Sequence, residues 1–324
     1  VFSFMGSNPI LSAKFNFFKE TIQYNKQMLN INDYSSVTVV IVLYKESFDL
    51  VNKTLQTLKN YKIVIIDNAN NNELKKKILK NFKIYKYLLN KKNNGFSAGY
   101  NQGIKLSTTK FTLVLGPDCL ITNKDIYVLT KKLSFYENTI MITPTAYSQQ
   151  NEPTYSGGPL PENGKKDKVL NLEGDVCVES ALGACMLFKT DDFKMNDLLF
   201  DENFFLYFSD DDLCRKIKSI NKSIVQTKDA ICIHQHGIIK VKSRFMKIYI
   251  REFNFTHDML YYFYKTKTEK SLEIIRKFQK KSKRHYFLLF FRLLTFRFSD
   301  VVKIYSRLSA FNKFKSKYLN RTVR

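Results

Sequence analysis

Residues 37–43 read Val-Thr-Val-Val-Ile-Val-Leu, a continuous run of β-branched and apolar side chains. A run without polar alternation is typical of a strand that is buried on both faces, as in a parallel sheet. Similar runs alternate with segments whose apolar residues recur at helical spacing, with strands predicted at 62–66, 84–88 and 111–115 and helices at 47–59, 72–81 and 97–106. This alternation predicts βαβ units, and therefore an α/β fold with a doubly wound, mostly parallel sheet.

Polar side chains stand where the predicted strands end. These residues are Tyr44, Asp67, Asn94 and Asp118. Strand ends are often polar, so that each residue alone is weak evidence. In doubly wound sheets, however, ligands bind at the carboxyl ends of the strands. The four residues together therefore predict a binding site at this edge of the sheet.

Three consecutive carboxylates, at residues 210–212, follow an aromatic run at residues 204–208. An aromatic wall beside clustered acids makes a partly dry pocket, where the pKa of a carboxylate can be raised until it serves as a base. The stretch also fits an ordinary helix start with Ser209 as N-cap and acids in the first turn. Both interpretations are compatible, because a helix start holds a base in place. Successive helical residues are rotated by about 100°, so Asp211 is expected to face solvent.

The cysteine pattern and the hydropathy exclude several classes of protein. The five cysteines are odd in number and lack CxxC spacing, and they are interpreted as reduced cytosolic thiols without a disulfide frame or zinc site. No apolar run reaches the roughly 18–20 residues of a membrane span. The first residues lack the basic region and long apolar core of a signal peptide. There is also no Walker lysine motif, no hydrolase-like Ser/His/Asp order and no dinucleotide-binding glycine spacing.

The net charge of +24 is concentrated near the C-terminus. Residues 265–324 hold 18 Lys and Arg against 3 Asp and Glu, and this balance predicts an anionic partner, either lipid headgroups or nucleic acid. The segment 286–298 at their centre is rich in Phe and Leu. As a helix it is too short to cross a bilayer but could lie in the bilayer interface. An ordinary C-terminal helix packed on the body is an equally open interpretation.

The motifs taken together are similar to one family. Residues 37 to about 265 resemble the inverting family 2 glycosyltransferases with a GT-A fold, in particular the rhamnosyltransferase-like branch. Eight motifs carry the resemblance in the family's order, and they lie at 39–44, 64–69, 94–103, 115–118, 183–184, 200–205, 210–214 and 234–237.

The resemblance implies a nucleotide-diphosphate sugar as donor. Tyr44 would lie in the donor site, and Asp67 would hold the nucleobase. Asn94 and Gly95 with Asn101 would shape the floor of the donor pocket. We also expect the glycines of this segment to let the backbone approach the phosphates and the sugar closely. These glycines are Gly95, Gly99 and Gly103.

The resemblance also implies a metal site and a base. Asp118 would bind a divalent cation, Mn²⁺ or Mg²⁺, beside the diphosphate, and His234 would be a second ligand or a diphosphate contact. Asp210 would be the general base that takes the proton of the acceptor hydroxyl. The residues that would border the acceptor are Gly183, Ala184 and Asp212.

Two positions depart from the family pattern. Gly116 stands where the family usually has Asn or Asp, and Ser209 stands where it usually has Glu before the base. A homologue that binds glycan with weakened catalysis is therefore one alternative. A basic nucleic-acid-binding protein is a rival, although the basic residues surround a Phe- and Leu-rich tail and not a groove with a reading element.

The sequence thus predicts an inverting hexosyltransferase-type enzyme that acts in cell-surface polysaccharide synthesis. It would be cytoplasmic and peripheral at the inner face of the cell membrane, with a glycan or lipid-linked acceptor, an anionic membrane surface as partner and no nucleic acid. The predicted parts are an N-terminal lead-in (1–36), a glycosyltransferase domain (37–264, with a nucleotide-sugar-binding half at 37–144 and an acceptor and catalytic half at 145–264) and a basic amphipathic helical tail (265–324).

Overall fold

The structure is a computed structural model that describes residues 34–164, 172–235, 241 and 243–320. The contacts divide the chain into residues 1–34 and a compact unit of residues 35–324. The predicted lead-in and the expectation about a signal peptide lie outside the described residues, apart from the last three residues of the lead-in. These form a short 3₁₀ turn, Tyr34–Ser36.

The strands form one large mixed sheet and one small ribbon. Their bounds are β1 Val37–Leu43, β2 Lys62–Asp67, β3 Lys86–Leu89, β4 Phe111–Leu115, β5 Cys119–Ile121, β6 Thr139–Tyr147, β7 Gly157–Gly158, β8 Val176–Cys177, β9 Ser180–Ala181, β10 Cys185–Lys189 and β11 Ser223–His234. The large sheet has the order β3-β2-β1-β4-β10-β6-β11-β5, and β8 also pairs with β11. The strands β7 and β9 pair with each other.

The helices follow the strands as the alternation of the sequence predicts. Their bounds are α1 Phe48–Gln56, α2 Asn72–Asn81, α3 Gly95–Leu106, α4 Asn123–Phe135, α5 Thr190–Met195, α6 Ser209–Ser219, α7 Arg244–Thr266, α8 Glu269–Leu294 and α9 Phe298–Phe314, with a π-helical turn Lys315–Leu319 at the end of α9. The apolar residues of α3, α5 and α6 pack on one face of the sheet in a cluster that includes Val40, Tyr100, Phe193 and Leu213.

The two halves of the large sheet differ in strand direction. In the first half, β1 lies between β2 and β4, and all pairs including β2 with β3 are parallel. In the second half, β10 runs antiparallel to β4 and to β6, while β11 runs parallel to β6 and antiparallel to β5. The sequence alone predicts two short strands at 223–226 and 230–233. In the structure these residues belong to one strand, β11, whose register shifts between Thr227 and Ile231.

The C-terminal helices belong to the same compact unit as the sheet. Phe204 of the aromatic run packs with Leu260 and Tyr262 of α7, and with Phe311 and Phe314 of α9, in a second apolar cluster. The predicted tail, residues 265–324, therefore contributes side chains to this apolar core. None of the helices in the described part of the chain combines the length and the hydropathy that a membrane crossing requires.

Candidate active site

Asp210 lies in the first turn of α6, directly after a sharp change of backbone direction. Phe208 precedes the helix in the left-handed conformation, with a φ of 61°. Ser209 is the first helical residue and is buried, so the prediction that it caps the helix is wrong by one position. The carboxylate Oδ2 of Asp210 accepts a hydrogen bond of 3.1 Å from the backbone N–H of Gly183. This bond fixes the half-buried carboxylate against the segment that precedes β10.

The two acids that follow, Asp211 and Asp212, are both buried and make contacts with other elements. Asp211 is buried and accepts a 2.5 Å hydrogen bond from the hydroxyl of Ser180, so the expectation that it faces solvent is wrong. The reason is that the short strand β9 covers this side of the helix. The side chain of Asp212 is only 3% exposed, and its Oδ2 lies 2.8 Å from Nζ of Lys265 on α7. This carboxylate holds the C-terminal helices to α6.

Gly183 and Ala184 connect the base to the end of β4. The carbonyl oxygen of Ala184 accepts a 2.8 Å hydrogen bond from the N–H of Gly116, while the neighbouring Gly183 donates to Asp210. A side chain at Gly183 would place its Cβ 3.3 Å from Cβ of Asp210, so the backbone approaches the base closely here. The segment predicted to border the acceptor thus lies directly beside the predicted base.

Asp118 and His234 are brought together by the pairing of β5 with β11. The strand β5 begins at Cys119, which lies opposite His234, and the N–H of Gln235 donates a 2.9 Å hydrogen bond to the carbonyl oxygen of Asp118. Nε2 of His234 lies 3.6 Å from Oδ2 of Asp118, and both side chains are largely buried. The strand β5 has only three residues and is absent from the predicted elements.

The pair of donor atoms fits a divalent cation. Two ligands that each lie about 2.1 Å from one ion are separated by at most about 4.2 Å, so a carboxylate oxygen and an imidazole nitrogen 3.6 Å apart can share an ion. Gly116 contributes space, because a Cβ at this position would lie 2.9 Å from Oδ1 of Asp118. The chain has Gly116 where the family usually has Asn or Asp, and for this reason no side chain at this position crowds Oδ1 of Asp118.

Asp67 ends β2 as a buried acceptor with several donors. Its Oδ1 accepts from the N–H of Ala69 at 2.7 Å, and its Oδ2 accepts from the N–H of Asn71 and from the hydroxyl of Tyr87. Burial, and then the charge of Asp67 and the hydrogen bond to it, raise the pKa of Tyr87, which stays a neutral donor. Tyr44 directly follows β1 and has a partly exposed ring, and its N–H donates to the carboxylate of Glu46.

Asn94 and Gly95 begin α3, next to the aromatic run. The backbone of Gly95 has a φ of 84°, and a Cβ there would lie 2.5 Å from the carbonyl oxygen of Phe205. Both requirements exclude a larger residue at Gly95. Asn101 is buried, and its side-chain amide accepts a hydrogen bond from the N–H of Phe200. The same amide donates to the carbonyl oxygen of Phe200 and to the carboxylate of Glu202. Asn101 therefore fastens the segment that leads to the aromatic run.

The glycines of α3 have a different purpose from the predicted one. A Cβ at Gly99 would lie 2.8 Å from Cγ1 of Val42, and a Cβ at Gly103 would overlap the side chain of Val40. These two glycines let α3 pack closely on β1, and the expectation that they admit phosphate is wrong. Only Gly95 of the three lies beside the aromatic run.

Sequence reasoning gave no role to Asn68 and its partners. The side chain of Asn68 donates to the carbonyl oxygen of Gly95 at 2.9 Å and accepts from Asn90, which also donates to Gln102. This network ties the end of β2 to the start of α3. The signal in the sequence was a second polar residue, Asn68, directly after Asp67 at the end of β2.

Three cysteines that are far apart in the sequence lie close together beside Asp118 and His234. The sulfur atoms of Cys119, Cys185 and Cys232 lie within 4.8 Å of one another, and all three thiols are free and buried. Cys119 directly follows Asp118, and Cys232 precedes His234 by two residues. The thiols therefore form part of the packed layer next to this pair.

The fold of the chain is one that known glycosyltransferases share. Two solved structures that superpose on it are glycosyltransferases, and the mixed sheet of this chain has the GT-A fold. Residues 38–194 match the family described as glycosyl transferase family 2.

Two curated proteins are similar in sequence. The low-salt glycan biosynthesis hexosyltransferase Agl10 of Haloferax volcanii is 26% identical over 216 residues, which are 62% of this chain and 68% of that protein. An uncharacterized glycosyltransferase of Rickettsia conorii is 32% identical over 133 residues, which are 39% of this chain and 21% of that protein.

Two solved structures share the fold. GalNAc-T7, solved with UDP, GalNAc and Mn²⁺, has a TM-score of 0.53 and 14% identity, and the match covers 69% of this chain and 49% of that one. The mannosyltransferase PcManGT of Pyrobaculum calidifontis, in complex with GDP-Man and Mn²⁺, has a TM-score of 0.50 and 10% identity over 97% of this chain and 85% of that one.

Proposed function

We propose that the chain transfers a hexosyl group from a nucleotide-diphosphate sugar to a hydroxyl of a glycan or lipid-linked acceptor, with inversion at the anomeric carbon. One observation carries the proposal: the backbone of residues 183–184 joins the predicted base, Asp210, to the loop that leads to Asp118. The family 2 match and the hexosyltransferase relative support the reaction. Cell-surface polysaccharide synthesis and the rhamnosyltransferase-like branch belong to the same proposal.

The residues divide the reaction between two sides of the site. Asp210 takes the proton of the acceptor hydroxyl while the oxygen attacks the anomeric carbon, and the N–H of Gly183 keeps the carboxylate oriented. Attack from the side opposite the leaving group inverts the anomeric carbon. On the donor side, Asp67 and the Asn94–Gly95 turn receive the nucleotide, and Tyr44 lines the same strand-end edge.

A divalent cation, Mn²⁺ or Mg²⁺, would be held by Asp118 and His234. When bound, it neutralises the charge that develops on the leaving diphosphate. Two structural neighbours were solved with Mn²⁺ and with UDP or GDP-Man, and this supports a cation and a nucleotide sugar here. The imidazole and the carboxylate of this chain supply mixed nitrogen and oxygen donors, which suit a first-row ion.

The donor can be found by thermal shift. UDP-, GDP- and dTDP-linked hexoses, rhamnose included, are added one at a time with Mn²⁺ or Mg²⁺. One nucleotide sugar is expected to raise the melting temperature, because a ligand that binds only the native state adds about 2.7 kcal/mol of stability at a hundredfold excess over Kd. The matching acceptor assay should release nucleoside diphosphate, and the product anomer, read by NMR, should be opposite to that of the donor.

Two outcomes would contradict this function. If no nucleotide sugar shifts the melting temperature with either ion, donor binding fails. If a donor binds but no acceptor hydroxyl supports release of nucleoside diphosphate, the chain is the glycan-binding homologue that Gly116 and Ser209 suggested.

We propose in addition that the enzyme acts at the inner face of the cell membrane, on an anionic lipid surface. The turn between α8 and α9 and the adjoining helix ends expose a set of large apolar side chains, which we call the hairpin tip: Tyr286, Phe287, Leu288, Phe290, Phe291, Leu293, Leu294, Phe296 and Phe298. Phe287 is 72% exposed and Phe296 is 75% exposed. Large contiguous apolar patches are rare on monomeric soluble proteins and often mark interaction sites, which supports docking through the hairpin tip.

The basic residues beside the hairpin tip support an anionic bilayer as the partner. Lys280, Lys281, Lys283 and Arg284 precede the hairpin tip along α8 and are exposed, and Arg297 lies within it. Basic residues attract an anionic bilayer by about 1 kcal/mol each, and apolar side chains add a contribution that salt does not screen. The far ends of the helices are anchored, because Ile275, Phe311 and Phe314 are buried in the second apolar cluster.

Point substitutions test this docking better than truncation, which would remove Phe311 and Phe314 from a core. Phe290→Ser with Phe291→Ser is expected to weaken sedimentation with anionic vesicles at both low and high salt. Replacing Lys281, Lys283 and Arg284 by Gln should weaken it mainly at low salt. Donor binding should be unchanged in both variants, because none of the proposed donor and cation residues lies in the hairpin tip or among these basic residues.

Matched controls separate the hairpin tip from general effects. Phe135 on α4 is 79% exposed, so that Phe135→Ser removes an even more exposed aromatic ring away from the hairpin tip. Lys76, Lys77 and Lys80 of α2 are exposed and match the three basic residues. Membrane docking through the hairpin tip is refuted if the tip variants sediment like the controls, or if duplex nucleic acid competes with the vesicles.

A further inference from the structure

The loop before the predicted base is fastened by one carboxylate of a distant helix. Oδ2 of Asp258, on α7, accepts hydrogen bonds from the backbone N–H groups of Phe205, Leu206 and Tyr207, at 3.2, 2.9 and 3.0 Å. Its Oδ1 lies 3.1 Å from Nδ1 of the neighbouring His257. Asp258 is fully buried. Hydrogen bonds to an ionised acceptor are roughly twice as strong as neutral ones.

The fastened residues lead directly to the base. Tyr207 is followed by Phe208, whose left-handed backbone redirects the chain, and α6 then begins with Ser209 and Asp210. Rings from α7 hold the same stretch, since Phe255 contacts both Tyr207 and Phe208. The orientation of α6 relative to Gly183 therefore depends on where these three amides are held.

The same loop also contacts the predicted donor side. The carbonyl oxygen of Phe205 accepts a 2.8 Å hydrogen bond from the N–H of Phe96 on α3. Phe205 thus donates its N–H to Asp258 and offers its carbonyl to the start of α3, where Gly95 leaves the room for it. The loop is held between α3 and α7.

We propose that Asp258 is a positioning residue for the transfer reaction: it fixes the loop 205–207, and through this loop it places Asp210 for proton abstraction beside Gly183. Nothing in the sequence motifs assigns this residue. The inference rests on the proposed function, because it takes Asp210 as the base. Asp258 itself touches neither the acceptor hydroxyl nor the donor.

The proposal predicts that kcat falls while donor affinity stays. Asp258→Asn keeps an acceptor oxygen and the volume but removes the charge, and Asp258→Ala removes the acceptor altogether. A misplacement of about 1 Å at a catalytic group can cost about 100-fold in rate, so we expect kcat to fall about 10-fold in the first variant and about 100-fold in the second. The Kd of the donor, measured by calorimetry, should change less than about twofold, because the donor site does not include Asp258.

A direct readout follows the three amides. Hydrogen exchange of a peptide that covers 204–208 should be faster in both variants, since the backbone N–H groups lose a charged acceptor. Asp175→Asn is the matched control, because Asp175 is another poorly exposed carboxylate with several donors, namely Lys132, Tyr136 and Thr227. It should lower the melting temperature without changing kcat per folded molecule or exchange at 204–208.

The outcomes separate the proposal from a merely structural role and from the proposed function. If the Asp258 variants lose melting temperature but keep kcat per folded molecule, the positioning role is refuted. The positioning role is also refuted if Asp258→Asn folds and the hydrogen exchange of residues 204–208 is unchanged. If Asp210→Asn keeps turnover while the Asp258 variants lose it, the base assignment fails, whereas control of the loop by Asp258 stands.

Discussion

Asp210→Asn is expected to lower turnover on the order of 10²–10⁴-fold, because positioned general bases contribute about this much and an amide cannot take the proton. The variant keeps the size of the side chain and an oxygen that can accept from the N–H of Gly183. The helix α6 should therefore form as before, and the Kd of the donor should be nearly unchanged. Turnover with saturating donor and acceptor, measured by release of nucleoside diphosphate, reports the loss.

The control for this variant is an acid in an equivalent local position. Asp191 also lies in the first turn of a helix, α5, and is exposed. Asp191→Asn removes a similar interaction with the helix dipole, worth about 0.3–1 kcal/mol, without touching the site. Turnover of Asp210→Asn equal to that of Asp191→Asn would show that another group takes the proton.

The fold was most predictable where the pattern of apolar residues within one element determines its secondary structure. The predicted bounds of β1, α2 and β4 agree with the structure, because a buried parallel strand has an unbroken apolar run and an amphipathic helix a clear period. The helix α4 and the strands β5 and β6 were not predicted. Of these, β5 has three residues, too few for a period, and β6 contains Pro144 and three Thr residues within its run.

The candidate site was predictable as a set of residues but not as a set of contacts. The pairing of Asp118 with His234 depends on β5 and β11, which lie more than a hundred residues apart in the sequence. The burial of Asp211 depends on the two-residue strand β9, and that of Asp212 on Lys265. None of these partners is near the start of the helix in the sequence, and for this reason Asp211 was wrongly predicted to face solvent.

The aromatic run shows the same difference between local and distant causes. Residues 204–208 were interpreted as a wall beside the acids, but Phe204 points into a cluster with α7 and α9. The residues that hold this run, Asp258 and Phe255 among them, lie about fifty positions further along. The predicted tail begins at the end of α7, the helix that packs against the loop before the base.

Removal of the divalent cation is expected to lower turnover about 10³-fold. A bound cation stabilises developing charge by several kcal/mol, and about 4 kcal/mol corresponds to about three powers of ten in rate. Dialysis against chelator followed by a titration of turnover with Mn²⁺ and Mg²⁺ measures this loss and its recovery. Full turnover in excess chelator would remove the cation from the mechanism and leave His234 as a direct contact to the diphosphate.

The two proposed ligands should behave as one unit. Asp118→Ala and His234→Ala are each expected to weaken Mn²⁺-dependent donor binding in calorimetry. The double variant should lose less binding free energy than the sum, because the second change removes a ligand from a site that the first has already opened. His285, a buried histidine of α8, offers the control His285→Ala, which should leave ion dependence intact. Additive losses would mean that Asp118 and His234, although 3.6 Å apart, do not share an ion.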